Sequence, residues 1–164
     1  MARAPYQVLV IPYRILEEGG IVYAIFRREP ISGGYWQAIA GGGEGQETPL
    51  DAAKREAAEE AGIPGSAHFL TLDCSCMIPV VNISGFVWGP DVLVIPEYCF
   101  GVQCEDAALR LSREHDQYRW VDYELAHTAL RFDSNKSALW ELDLRLRRNK
   151  GLAAKNASAY DSTI

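Results

Sequence analysis

The sequence predicts one α/β or α+β domain, on three observations. Residues 7–14 and 21–26 are runs of Val, Ile, Leu, Tyr and Phe joined by a Gly-rich turn, the pattern of a strand hairpin. Residues 48–62 carry the start and stop signals of a helix, and residues 133–148 the spacing of a second, amphipathic one. A chain of 164 residues with 48% hydrophobic content suits one domain with a proper core. That domain is expected to span residues 1–150, followed by a mobile tail over 151–164, which is rich in Ala, Ser, Asn and Lys without periodicity.

Charge narrows the partners. A net charge of -6 and a pI near 5.1 argue against a nucleic-acid surface. A small phosphorylated molecule would then be met by a metal and a few local basic residues. No apolar run approaches the ~20 residues of a membrane span, and the N-terminus lacks a signal-peptide core, so a cytoplasmic monomer or homodimer is expected. Cys74, Cys76, Cys99 and Cys104 lack the Cys-x2-Cys zinc spacing and are read as reduced, mostly buried thiols used as small apolar side chains, with a zinc site or a disulfide as the alternative.

In chain order, the first strand runs over 7–14, turns at Glu17 to Gly20 and resumes over 21–26, where Arg27 and Arg28 end it. A polar loop over 29–34 leads to a short strand at 35–40 and then to a glycine-rich loop beginning at Gly41. The helix follows, with Thr48 as cap, Pro49 at the first helical position and Gly62 as C-terminal stop. Strands are expected at 69–77 and 92–104, separated by an irregular stretch holding Pro79, Asn82, Gly85 and Trp88-Gly89-Pro90. A third informative segment, 113–121, ends in a strand. The last helix, 133–148, has Asp133 or Ser134 as its cap.

The chemistry concentrates on the first helix. At about 100° per residue, Glu56, Glu59 and Glu60 fall on one face, beside an apolar stripe of Leu50, Ala53, Ala57 and Ala61. Like charges at these spacings, in the last turns of a helix, oppose both one another and the helix dipole. A hard divalent cation with oxygen ligands relieves that conflict, and Mg2+ binds through one or two carboxylates plus substrate phosphates. The other reading is a solvated acidic face with Lys54 and Arg55 as partial counter-ions.

The spacing favours the cation. Gly41, Glu47 and the run Arg55-Glu56-Ala57-Ala58-Glu59-Glu60-Ala61-Gly62-Ile63 resemble the complete Nudix box, with Ala57 where that family places a bulky aliphatic residue. The resemblance implies the Nudix fold, a mixed sheet sandwiched between helices, and metal-dependent hydrolysis of a nucleoside diphosphate linked to another group. It implies Glu56 and Glu60 as primary ligands of Mg2+ (or Mn2+), Glu59 as ligand or base, a loop carbonyl at Gly41 completing the shell, and Arg55 paired with Glu47.

Two further segments resemble the dihydroneopterin triphosphate diphosphatase branch, also called dATP pyrophosphohydrolase. They are Tyr35-Trp36-Gln37 before the box and Glu114-His115 with Tyr118-Arg119-Trp120-Val121 after it; Ser134-Asn135-Lys136 adds to them. The likeness implies Glu114 at the metal site and His115 beside the substrate, with Arg27, assisted by Arg3, meeting a phosphate or ring edge. The implied reaction cuts a (deoxy)nucleoside triphosphate or dihydroneopterin triphosphate to the monophosphate and pyrophosphate. The alternatives are an ADP-ribose or nucleotide-sugar pyrophosphatase, to which Pro79 alone points, and a Nudix protein that binds a nucleotide without turnover.

Overall fold

The sheet is built on Arg3–Ile15 (β1), whose near-continuous apolar run is buried on both faces, as a central strand requires. In the computed structural model, residues 2–83 and 88–149 are described; the tail expected over 151–164 and Gly85 lie outside them. The remaining strands are Ile21–Arg28 (β2), Trp36–Gln37 (β3), Ile39–Glu44 (β4), Phe69–Pro79 (β5), Val94–Gln103 (β6) and His115–Val121 (β7). Three helices complete the chain: Pro49–Ala61 (α1), Tyr123–Ala129 (α2) and Asp133–Asn149 (α3).

One edge of β1 pairs parallel to β6, from Gln7↔Glu97 to Tyr13↔Gln103, and β5 pairs antiparallel to β6 beyond it. The other edge is shared. Near its C-terminal end β1 pairs with β2 (Tyr13↔Tyr23 to Ile15↔Ile21), while residues 7–10 pair with β4 (Gln7↔Gly42 to Val10↔Ile39). After its first residues β2 therefore swings away to pair with β7 and β3, and the two strands make a fork. The segment from β3 to β4 fills it, and Ala38 in the crotch donates its N–H to Asn135 Oδ1 at 2.8 Å.

Helices cover both faces. Val8, Val10, Ala24, Phe26, Phe100 and Val102 pack under Ala52, Ala53, Ala57 and Ala61 of α1. On the opposite face Leu9, Ile11, Tyr23 and Ile25 meet Ala126 of α2 and Leu139, Leu142 and Leu146 of α3. The alternation of side chains along β1 sorts its residues between these two cores. The result is the mixed sheet between helices that the sequence predicts.

Four differences stand out. The glycine-rich segment from Gly41 is strand rather than loop, because β1 supplies a ladder for its backbone groups; the turn proper is confined to residues 45–48. Helix α3 begins at Asp133, with the Lys136 N–H bonded to the Phe132 carbonyl, so Asp133 stands in the first turn, where it favours the dipole, rather than at the cap. The strand expected from residue 92 begins at Val94. Helix α2 was not foreseen, and its one clear signal is Asp122, whose carboxylate accepts the Leu125 N–H at 2.9 Å. All four cysteines are free thiols, but only Cys99 is buried; Cys74, Cys76 and Cys104 are partly exposed, against the expectation that most would be buried.

Candidate active site

The local chemistry of α1 places the acids. Thr48 Oγ1 accepts the Asp51 N–H at the start, Pro49 occupies the first turn, and Gly62 closes the helix in the left-handed conformation with φ 69°. Its small side chains let α1 lie close on the sheet, and Glu56 and Glu60 are buried against β4 as a consequence. Gly41 is what makes this approach possible: a Cβ there would stand 2.0 Å from the Glu56 carboxylate.

Glu60 is 5% exposed; one of its oxygens, Oε2, has no hydrogen-bond partner among the described residues, while the Ala40 N–H bonds to the carboxylate. Burial pushes its pKa up to about 9, with the charges of Glu56 and Glu114 adding to the effect. Burial also raises Glu56, against the opposing pull of Arg55. Beside Glu60, His115 is 3% exposed, packs at 5.4 Å from the Phe26 ring, and places Nδ1 3.6 Å from Glu60 Oε2. Burial and the neighbouring Arg28 guanidinium lower His115 to about 4, so its imidazole is neutral near pH 7.

Arg55 braces the helix against the turn. Its Nε and Nη2 reach Glu47 at 2.9 and 3.1 Å, Nη2 also donates to the Gly42 carbonyl at 2.7 Å, and Nη1 donates to Glu56 Oε1 at 2.8 Å. The Arg55 guanidinium holds Glu47 below the usual carboxylate range. The fork-shaped geometry of the guanidinium allows one side chain to fix a turn, a strand and an acid together.

The predicted residues divide into two groups. Glu56, Glu60, Gly41, Glu114 and Arg3 line one cleft of about 720 Å3, with His115 buried behind Glu60. Glu59 and Arg27 are elsewhere. The Glu59 side chain is 59% exposed, with Oε2 3.3 Å from Arg55 Nη1, so only two of the three acids on the helical arc are turned inward. Arg27 is held on the surface by Asp116, at 2.8 Å from Nε and 2.5 Å from Nη2. The next residue, Arg28, projects from the opposite face of β2, lines the cleft and is ion-paired with Glu114. Arg28, rather than the Arg27 that the sequence suggested for a phosphate or ring edge, is the member of that arginine pair that lines the cleft. Sequence reasoning also missed Gln7 and Glu97 in the cleft lining, where a polar residue inside an apolar strand was the available signal, and gave no site role to Asn135 of α3, which lines the same cleft.

Among the described residues no three His, Cys, Asp or Glu side chains are gathered closely enough to hold a metal. The donors nevertheless suit one. Glu56 and Glu60 offer buried carboxylate oxygens, one of them unpartnered among the described residues, whose ionisation is opposed by burial and, at Glu60, by the charge of Glu56. A hard divalent cation with oxygen preference is the species that such a pair accepts.

The family model for the NUDIX domain matches residues 5–140. A solved NUDIX hydrolase from Listeria monocytogenes is 38% identical, with a TM-score of 0.79 over 89% of this chain and 97% of that one. The dihydroneopterin triphosphate pyrophosphohydrolase of E. coli shares the fold at 21% identity, with a TM-score of 0.68 over 87% of this chain and 99% of that one. An octanoyltransferase of Myxococcus xanthus is 33% identical over 114 residues, which are 66% of this chain but 28% of that protein. The chain thus spans little more than a quarter of that relative's length. Nudix hydrolases as a family use divalent metal ions and act on phosphorylated small molecules. With the box acids seated on α1 and the family model matched over most of its length, the chain belongs to the NUDIX family.

Proposed function

We propose that the chain hydrolyses a (deoxy)nucleoside triphosphate or dihydroneopterin triphosphate to the monophosphate and pyrophosphate, in a reaction dependent on Mg2+ or Mn2+. The observation that carries this reading is the inward-facing pair Glu56 and Glu60, set against a strand stripped of side chains at Gly41 and faced across the cleft by Arg28. Bound there, a divalent ion would neutralise phosphate oxygens and lower the pKa of the attacking water.

Glu56 and Glu60 would hold the ion, with the Gly41 carbonyl as a further oxygen donor. Arg55 keeps Glu56 in place through Nη1 and keeps the turn in place through Glu47. Arg28 presents a cation to the phosphates, in exchange for its pairing with Glu114, and Arg3 adds a second one farther along the cleft. Glu114, freed from Arg28, is then a carboxylate at the cleft rim able to reach the same phosphates' counter-ions. Glu59 serves as ligand or base after leaving Arg55, which its exposed position permits. His115, neutral and buried, positions Glu60 from behind.

The E. coli neighbour acts on dihydroneopterin triphosphate, and the Ap4A hydrolases of C. elegans share the fold at 21% and 19% identity. A NUDIX domain of Shewanella oneidensis was solved with ADP ribose, at 13% identity. These names define the test panel. Dihydroneopterin triphosphate, dATP, GTP, Ap4A and ADP-ribose are offered with Mg2+, and the products are identified. The expected result is pyrophosphate from the triphosphates. Fast cleavage of ADP-ribose to AMP and ribose 5-phosphate, with the triphosphates inert, would overturn the assignment. We read residues 1–150 as a single NUDIX domain, and the four free thiols support a reducing, cytoplasmic setting.

A further inference from the structure

Four residues on four neighbouring strands stand in one row: Gly42 on β4, Gln7 on β1, Glu97 on β6 and Cys76 on β5 are successive register partners. Gln7 and Glu97 share the side of the sheet that carries Leu9 and Cys99, away from α1. All four line the same cleft as Glu56 and Glu60. Gly42 leaves room beside it, since a Cβ there would lie 2.4 Å from Arg3 Nε.

Glu97 is 2% exposed, yet it is a carboxylate on the wall of an open cleft. Its Oε2 accepts from Gln7 Nε2 at 2.8 Å, and its Oε1 has no hydrogen-bond partner among the described residues. A buried polar atom without a partner is costly and rare in a native fold. Burying this acid in the sheet makes physical sense if a ligand supplies the missing donor. With one Gln7 amide hydrogen given to Glu97 Oε2, Glu97 Oε1 is the unpartnered acceptor of the pair among the described residues.

A ring that meets acceptors must bring donors. Guanine and the pterins share a 2-amino-4-oxo edge, in which a ring N–H lies beside an exocyclic NH2, and two parallel donors match one carboxylate. Adenine sets an acceptor nitrogen beside its amino group, and hypoxanthine keeps the ring N–H but lacks the amino group. We propose that Glu97, positioned by Gln7, is the specificity determinant of this site and selects a 2-amino-4-oxo ring, guanine or pterin, over adenine. The inference rests on the reading above that the phosphates lie at the Glu56 and Glu60 end of the same cleft.

The test is equilibrium binding, by calorimetry in Mg2+, of the α,β-methylene triphosphates of guanosine, inosine and adenosine, which cannot be cut between the bridged phosphorus atoms. The wild-type protein is expected to bind the guanosine analogue at least about 10-fold more tightly than the other two, the scale of a lost bidentate contact. Glu97→Gln, which keeps the shape of the side chain and turns an amino group toward the ligand, should bring the three within about 2-fold of one another. Equal affinities for the guanosine and inosine analogues in the wild-type protein, a comparison that needs no variant, would overturn the proposal. So would a preference that Glu97→Gln leaves unmoved in a folded protein.

Turnover separates this idea from the one it rests on. Selective binding without cleavage of GTP or dihydroneopterin triphosphate would defeat the reaction assignment and leave ring selection standing. Cleavage of GTP, ITP and ATP with equal kcat/KM would do the reverse. The ratio of kcat/KM for dihydroneopterin triphosphate to that for GTP names the source of the ring.

Discussion

Gly41 and Glu56 compete for one space: the position that a Cβ on Gly41 would take lies 2.0 Å from both the carboxylate carbon and Oε1 of Glu56. The obstructing atoms are the far end of a flexible side chain, so Gly41→Ala should move Glu56 and leave the sheet intact. We expect kcat to fall about 100-fold, roughly 3 kcal/mol of barrier, with little change in thermal midpoint. Normal turnover in this variant would show that Glu56 has no part in the reaction.

Mg2+ binding should strengthen with pH. The ordinary value for Glu60 is 4.5, and burial raises it to about 9 in the metal-free protein. The folded state therefore holds this proton more tightly than the unfolded chain does. The resulting stability is complete below about pH 4.5 and is lost as pH rises through 9. A cation must displace the proton, so the rise in thermal midpoint caused by Mg2+ should be small near pH 5 and grow toward pH 9. EDTA should abolish turnover throughout. A midpoint shift independent of pH would remove Glu60 from the ligand set.

Glu60→Gln separates catalysis from stability. Turnover should drop by 100-fold or more, roughly 3 kcal/mol. Above pH 8 the metal-free variant should outlast the wild-type protein, because a neutral amide replaces an acid forced to ionise in a buried position. Thermal denaturation without metal at pH 8 to 9 checks the second effect, and a less stable variant would contradict it.

The two adjacent arginines should behave differently. Arg28→Ala removes the cation that lines the cleft and should raise KM severalfold with a smaller loss in kcat, the mark of uniform binding. Arg27→Ala breaks an exposed, solvent-screened pair with Asp116 and should leave the thermal midpoint close to the wild-type value, with kinetics near normal. A large KM effect confined to Arg27→Ala would restore the role that the sequence suggested for it.

Glu114→Ala should lower kcat without unfolding the domain, since the side chain is more than half exposed. His115 carries a distinct pH signature. Its pKa, lowered to about 4 by burial, lies below the ordinary 6.5, so its contribution to stability is present above pH 6.5 and disappears as pH falls through 4. His115→Gln should flatten that acid limb in a denaturation series. An unchanged limb would locate the acid sensitivity in another group.

What the sequence disclosed was local. Thr48, Pro49 and Gly62 bound the first helix through backbone chemistry within a few residues, and the structure places the helix between them. The same locality explains what the sequence left undecided. Glu59 and Glu60 belong to one helical arc, and which of them is buried depends on where β4 crosses beneath. Arg27 and Arg28 are distinguished only by the phase of β2, fixed through its pairing with β7. Gln7 and Glu97 become partners through a parallel ladder between β1 and β6, which no short-range pattern announces. Helix α2, with seven residues, is too short for periodicity to register.

The strand with three consecutive glycines makes a partition a single backbone thick. Each glycine leaves room for a different tenant: the Glu56 carboxylate at Gly41, the Arg3 guanidinium at Gly42, and at Gly43 the Tyr6 ring, whose hydroxyl clasps the Glu47 carbonyl at 2.8 Å. Chemically identical neighbours therefore answer to unrelated demands. Alanine at the first would strike the acids, at the second the Arg3 guanidinium in the cleft, and at the third the clasp that holds the turn. In a mutational scan, three adjacent positions with the same residue in the same strand would fail with three separable phenotypes, and a score that averaged them as one glycine motif would erase the distinction.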